Sequence, residues 1–182
     1  MTKATRYDAV IATLVGVLAL MVSGYTAYVQ RQQVRAQVWP YLSVYNSNVP
    51  NIRLEIANKG VGPAIIKNAI VRVDGKPVPD WNTVIERLLG KKHNRIISSF
   101  GQRVLAPGEA VAVLDLRDEK GEPVSATDKD GADAFLWKAL NERVTPEICY
   151  CSTLDECWIV DGDSGTRPTQ RCAKPSADSF RN

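Results

Sequence analysis

The residues with the most distinctive chemistry in this chain are its four cysteines, which all lie near the carboxyl end. They are Cys149, Cys151, Cys157 and Cys172 in a chain of 182 residues. Cysteines grouped in this way either pair as disulfides in an oxidising compartment or bind zinc as thiolates. An even number confined to one segment favours two disulfides.

The spacing of the cysteines leaves their pairing open, because four cysteines allow three pairings. Cys149 and Cys151 are expected on one face of a strand, since side chains alternate along it. A bond from Cys151 to Cys157 would staple a short hairpin, and a bond from Cys149 to Cys172 would hold the tail. A zinc site made by all four cysteines is the alternative, although C-x-C is tighter than the usual spacing of zinc ligands.

Other chemistry-bearing patterns are sparse. His93 is the only histidine, which leaves little scope for histidine-based catalysis or a His-rich metal site. The net charge of +3 is too small to predict a nucleic-acid partner. We therefore predict a protein that is not an enzyme, has no cofactor or resident metal, and binds no nucleic acid.

An uncharged apolar segment near the amino end predicts a membrane anchor. Residues 9–29 contain no charged residue, and a helix of this length, at about 1.5 Å per residue, matches a hydrocarbon core of about 30 Å. A cleaved signal peptide is the competing interpretation, because Lys3 and Arg6 precede the segment. The segment is longer than the apolar region of such a peptide and ends without an A-x-A site. We predict an uncleaved helix.

Small side chains recur along one face of this helix, at spacings of three and four residues. They are Ala9, Ala12, Gly16, Ala19, Ser23 and Ala27. Small residues let a second helix approach closely in lipid, so this face predicts packing against a second copy or another membrane protein. The alternative is chance, since alanine and glycine are common in membrane helices.

Beyond Pro40 the pattern changes to an alternation of polar and apolar residues, which is typical of strands with one buried face. Residues 51–56 and 68–73 alternate clearly, and 110–116 follows a proline–glycine turn. Leu42 and Val44, with later runs at 148–152 and 158–160, bring the total to about six or seven short strands. This set predicts an antiparallel β-sandwich.

Two helical patterns interrupt the strands. Trp81–Leu89 has an apolar face, with Asp80 as N-cap and Gly90 as C-cap. A second apolar stripe, which ends before Pro146, consists of Phe135, Leu136, Ala139 and Leu140. We expect both helices to be insertions in connections of the sandwich.

Several motifs resemble known families. The run Asn58-Lys59-Gly60-Val61-Gly62-Pro63-Ala64 and the later Leu105-Ala106-Pro107-Gly108-Glu109 are similar to bacterial immunoglobulin-like sandwich modules. Together with Gln37-Val38-Trp39-Pro40-Tyr41-Leu42 after the anchor, they resemble single-span proteobacterial membrane proteins that bring no catalytic residues with them. The resemblance implies an immunoglobulin-like fold. Within the loop, we expect Gly60 and Gly62 to permit turns and Pro63 to fix the entry to the next strand, with Asn58 opening the loop.

The predicted organisation follows: a short cytoplasmic tail at 1–8, a transmembrane helix at 9–29, a juxtamembrane segment at 30–39 and the β-sandwich at 40–182. Positive charges flank the anchor equally, so they do not orient it. Disulfides do, and they place the carboxyl-terminal domain in the periplasm, anchored in the bacterial inner membrane. We predict a non-enzymatic interaction module; the alternatives are a periplasmic ligand-binding or sensing domain, or a cytoplasm-facing domain with a structural zinc site on its four cysteines.

Overall fold

The chain forms two compact units, 1–37 and 38–182. The computed structural model describes residues 3–90, 95–97, 100, 103–118, 120–125, 132–162 and 165–181. The first unit is a single helix, α1, Lys3–Gln37, which no proline interrupts. It is long and apolar enough to span a membrane. The predicted helix is therefore present, and it extends without a break through most of the segment assigned to the juxtamembrane region.

The second unit is mainly β, as predicted. Its helices are α2, Trp81–Leu89, and α3, Ala132–Arg143. The strands formed by the described residues are β1 Leu42–Ser47, β2 Arg53–Asn58, β3 Ala64–Val73, β4 Lys76–Val78, β5 Arg95–Ile97, β6 Val104–Leu105, β7 Ala110–Leu116, β8 Val144–Cys151, β9 Cys157–Asp161 and β10 Gly165–Thr169.

These strands form two antiparallel sheets. One has the order β1-β2-β7-β5, and the other has the order β10-β9-β8-β3-β4, with β6 also paired to β3. The two sheets contribute to one hydrophobic core, in which Ile56 and Leu114 come from the first sheet and Ile66, Val71 and Ile148 from the second. Burial of these apolar faces is the main stabilising contribution to the domain.

The alternation predicted for residues 68–73 is confirmed in β3. Ala69, Val71 and Val73 are buried, whereas the side chains between them are partly exposed. The pattern breaks once, at Lys67, where a β-bulge shifts the register with β8 between Ile66 and Asn68. An extra residue in one strand redirects the side chains around it, and here it leaves Lys67 exposed.

Helix α2 has the predicted caps. Asp80 accepts a hydrogen bond from the backbone N–H of Thr83 at 2.8 Å, and Gly90 ends the helix in the left-handed region with φ 66°. Trp81, Val84, Ile85 and Leu88 are buried. The sequence was sufficient to predict this helix because the capping residues and the apolar spacing indicate the same bounds.

Helix α3 corrects one part of the prediction. Leu136, Ala139 and Leu140 are buried, but Phe135 is 56% exposed and does not belong to the core-facing stripe. The helix ends at Arg143 and β8 begins at Val144, so Pro146 lies inside a strand. It pairs with Val71 in β3. Adjacent residues on a helix point about 100° apart, so Phe135 and Leu136 do not share one narrow face.

Candidate functional site

One end of the domain collects the features that the sequence singled out, and we call it the anchor end. β1 begins there at Leu42, directly after the segment that follows α1. The strand pairs Leu42 with Asn58, Ile65 with Cys151, and Cys151 with Cys157 bring the β2–β3 loop and the β8–β9 hairpin to the same end. Antiparallel pairing therefore places the glycine-rich loop and the cysteines together.

Asn58 is the polar centre of the anchor end. It is fully buried, and its side-chain oxygen accepts hydrogen bonds from the backbone N–H groups of Tyr41 at 3.2 Å and Gly60 at 3.0 Å. Its side-chain nitrogen donates to the carbonyl oxygens of Gly62 at 2.8 Å and Leu105 at 3.1 Å. All four hydrogen-bonding positions of the amide are used. The residue thus joins three separate chain segments.

The glycines of this loop are required for close packing, and this corrects the expected reason for their presence. Neither Gly60 nor Gly62 has a positive φ. A Cβ on Gly60 would lie 2.5 Å from the carbonyl oxygen of Trp39, and a Cβ on Gly62 would overlap the backbone of Val38. The N–H groups of Val61 and Gly62 both donate to the Trp39 carbonyl oxygen, at 3.0 and 3.1 Å. The loop therefore clamps the segment that leads to β1.

All four cysteines form disulfides in the structure, which pairs Cys149 with Cys172 and Cys151 with Cys157. The first bond ties the carboxyl-terminal tail to β8, and the second closes the β8–β9 hairpin. The two bonds touch each other: Cys151 Sγ lies 3.7 Å from Cys172 Sγ. We call the four sulfur atoms the sulfur cluster. The sequence alone left this choice among three pairings open.

A surface cavity of about 480 Å³ opens beside the sulfur cluster. Its lining includes Cys151, Cys157 and Cys172, and its cationic side chains are those of Lys67, Arg171 and Lys174, with Asp155 as the acidic one. Lys67 reaches this cavity from the β-bulge in β3, whose flanking residues pair with Tyr150 and Cys149 of β8. The sequence did not single out Lys67, because a bulge leaves no signal in an alternating pattern.

The tail beyond Cys172 is held at its other end by an aromatic contact. Phe180 is 7% exposed and packs edge-on against Trp81, with ring centroids 5.0 Å apart, and against Phe100 at 5.5 Å. Its backbone N–H donates to the carbonyl oxygen of Ala69 at 2.8 Å. The tail therefore covers part of the β3 edge between β6 and β4. A single phenylalanine in a polar stretch gave no periodic signal for this contact.

Tyr150 makes a further link between segments at the anchor end. The residue is fully buried, its ring stacks on Trp158 at a centroid distance of 5.8 Å, and its hydroxyl oxygen accepts from the N–H of Leu42 at 3.3 Å. Burial raises the pKa of the Tyr150 hydroxyl above its ordinary value. The side chain stays neutral at physiological pH and links β8 to the start of β1.

Exposed large apolar side chains concentrate at this end. Among the described residues of the domain, seven are exposed, and five of them lie at the anchor end: Trp39, Tyr41, Val61, Val104 and Leu154. The other two are Val49 and Phe135. We call the five residues the anchor-end patch. Trp39 and Tyr41 lie outside the core, and their ring centroids are 5.7 Å apart.

The residues of the small-residue face all belong to α1. Ser23 donates to the carbonyl oxygen of Ala19 at 2.8 Å, and Thr13 donates to that of Ala9 at 2.9 Å, so these hydroxyls are satisfied within the helix. A Cβ on Gly16 would meet nothing within 4 Å. Association through this face stays a prediction.

His93 lies outside the described residues.

Comparisons with known proteins return no match for the chain. No protein-family model matches it, and neither a curated protein nor a solved structure does.

Proposed function

We propose that this chain is a single-pass membrane protein whose β domain acts as a non-enzymatic interaction module in an oxidising compartment. The observation that carries the proposal is the presence, in one chain, of a helix able to span a membrane and a domain stapled by two disulfides. Cytosolic reductants keep thiols reduced, so the disulfides favour the side of the membrane away from the cytoplasm. In a bacterium this is the inner membrane with the carboxyl-terminal domain in the periplasm.

The anchor-end patch supports an interaction surface. Exposed apolar residues scattered singly are ordinary, but a concentration of them marks a contact site. Trp39, Val61 and Val104 belong to the patch, and the Asn58 hydrogen bonds hold the loop segments that carry them rigidly. Preorganised apolar groups lose little entropy on binding. We propose that a second copy of the chain or another membrane protein is the partner.

The strand order supports an immunoglobulin-like assignment for the domain. Immunoglobulin-type sandwiches have the sheets A-B-E-D and G-F-C, with extensions beside strand C. The sheets β1-β2-β7-β5 and β9-β8-β3-β4 follow that order if β1 is strand A and β3 is strand C. The additional strand β10 lies beside β9 at the sheet edge. We also propose that the chain belongs to the single-span proteobacterial membrane proteins that its motifs resemble.

A ligand-binding or sensing domain is the second candidate. Besides the cavity next to the sulfur cluster, a cavity of about 500 Å³ lies between the tail and β3, and one of about 440 Å³ lies beside β9 and β10. These volumes suit small molecules. The third candidate, a cytoplasm-facing domain with zinc on the cysteines, draws on three sulfur atoms that lie within 4.8 Å of one another.

The location test uses native membranes. The membranes are washed with alkaline carbonate, free thiols are alkylated before lysis, and the non-reduced peptides are mapped by mass spectrometry. We expect the full chain to remain in the membrane with Cys149–Cys172 and Cys151–Cys157 linked. Release by carbonate would overturn the anchor, whereas four alkylated cysteines or one bound zinc per chain would overturn the oxidising location.

The partner test uses a photo-crosslinking amino acid at Val61 or Val104 in the full chain. Val49 and Phe135 provide matched controls, because both are exposed apolar residues away from the anchor end. We expect a discrete protein adduct from the first pair and none from the second. Equal labelling from both pairs, or no protein adduct at all, would contradict the interaction surface. Saturable binding of a small molecule in the cavity beside the sulfur cluster, or in the cavity between the tail and β3, would favour the ligand-binding or sensing domain.

A further inference from the structure

The sulfur cluster contains a contact between two different disulfides. Cys151 and Cys172 are bonded to other partners, yet their sulfur atoms are 3.7 Å apart, and the sulfur atoms of Cys151, Cys157 and Cys172 all lie within 4.8 Å of one another. Thiol–disulfide exchange needs a thiolate that reaches one sulfur of a disulfide. Release of Cys151 from Cys157 would create such a thiolate in contact with Cys172.

The cavity supplies both access and charge. It reaches three of the four cysteines, and Cys149 is not part of its lining. Lys67, Arg171 and Lys174 are exposed cations on its wall, opposed by Asp155. Nearby cations stabilise a thiolate over a thiol, which favours nucleophilic attack and departure of sulfur. A volume of about 480 Å³ admits a small dithiol or a cysteine side chain of another protein.

We propose that the sulfur cluster is a thiol–disulfide exchange site that accepts two electrons from a dithiol entering this cavity. One thiolate of the dithiol attacks Cys157 Sγ, the Cys151–Cys157 bond breaks, and Cys151 leaves as a thiolate. The second thiol of the dithiol then attacks the mixed disulfide and closes the reagent into its own disulfide, which releases Cys157. The dithiol has lost two electrons and two protons, and the protein has gained them.

The second stage is internal and transfers no net electrons. The Cys151 thiolate attacks Cys172 Sγ, the Cys149–Cys172 bond breaks, and Cys149 takes up the proton. The product holds a Cys151–Cys172 disulfide with thiols at Cys149 and Cys157. Cys149 and Cys151 both lie on β8, with one residue between them, so the tail remains tied to the same strand in both states. The site thus accepts two electrons without releasing the tail.

The direct test traps the pairing in the full chain in detergent micelles. The wild-type protein receives one equivalent of dithiothreitol, the reaction is quenched by acid and alkylation, and peptides are mapped by mass spectrometry. We expect a two-electron-reduced form that contains Cys151–Cys172 in at least about a tenth of the molecules. The proposal would be overturned if every reduced molecule retained Cys149–Cys172 or Cys151–Cys157 and none contained Cys151–Cys172.

The variant C157S tests the internal stage without a reductant. It leaves the Cys151 thiol beside the Cys149–Cys172 bond, so we expect incubation at mildly alkaline pH to give a mixture of Cys149–Cys172 and Cys151–Cys172. Complete retention of Cys149–Cys172 would contradict the exchange. If this variant fails to fold, the wild-type trapping experiment still decides the question.

Charge reversal tests the role of the cavity. We expect the rate of reduction by dithiothreitol to fall at least roughly threefold in K67E/K174E, because the thiolates lose two neighbouring cations. K59E/K76E is the matched control, since Lys59 and Lys76 are exposed but do not line the cavity. Equal rates for the two variants would contradict access through this cavity. The carbonate wash of native membranes is independent of these measurements, so the anchor and the exchange site can fail separately.

Discussion

The Sγ atoms of Cys151 and Cys172 lie 3.7 Å apart although the two residues belong to different disulfides. The contact arises because β8 ends at Cys151, β9 begins at Cys157, and the chain returns after β10 to Cys172 at the same end of the sheet. Lys67 lines the adjoining cavity from the bulge in the neighbouring strand β3. The residues that staple the domain are thus the same residues that form the proposed exchange site.

Replacement of Asn58 by alanine should destabilise the domain by about 2–4 kcal/mol, because it leaves buried donors and acceptors in three segments without partners. The measurement is chemical unfolding of the full chain in micelles, followed by tryptophan fluorescence. N46A is the control, since the Asn46 side chain makes one exposed hydrogen bond to Asn141. We expect a loss of about 1 kcal/mol or less for N46A. Similar losses for both variants would contradict the central role of Asn58.

The variant G62A should lose about 2–3 kcal/mol of stability. The new methyl group would overlap the backbone of Val38 and displace the loop from the segment that leads to β1. G162A is a suitable control: a Cβ there would meet Pro146 Cδ at an ordinary 3.7 Å, and Gly162 has no positive φ. We expect a change within about 0.5 kcal/mol for the control. Thermal unfolding monitored by circular dichroism compares the two, and an unaffected G62A would refute the close-packing explanation.

Removal of the Phe180 ring should cost about 3 kcal/mol, because it takes a buried aromatic side chain from the contact with Trp81 and Phe100. Hydrogen exchange should also accelerate at the amide of Arg181, which donates to the Pro79 carbonyl oxygen. The control F135A removes a ring of the same size from an exposed position on α3 and should cost far less. Unchanged protection of Arg181 in F180A would show that the ring does not hold the tail.

The ion pair between Asp74 and Arg143 should make the stability of the domain depend on pH in the acidic range. Two hydrogen bonds from the Arg143 guanidinium, at 2.6 and 2.8 Å, lower the pKa of the Asp74 carboxyl. A lowered folded-state pKa means that the stabilisation is present above the ordinary aspartate pKa and is lost as the pH falls through the lowered value. In an NMR titration, R143Q should raise the Asp74 pKa toward its ordinary value. K138Q, which breaks a pair with Glu142, should leave it unchanged.

Local patterns were sufficient for much of the architecture. The uncharged run of 9–29, the caps Asp80 and Gly90, and the alternation in β3 each report on neighbours in the chain or on a single buried face. The prediction for Phe135 was wrong, because four apolar residues close together in the sequence do not show which of them faces the core.

The candidate site depended on contacts between distant segments, and the tertiary structure decided them. Sequence showed that the cysteines are grouped in one segment and that Asn58, Gly60 and Gly62 shape a loop. Only the fold chose one of three disulfide pairings, brought two disulfides into contact, and showed that the glycines make room for the segment after α1. The reason is physical: propensity and periodicity act within a few residues, whereas strand register and bulges determine which distant side chains meet.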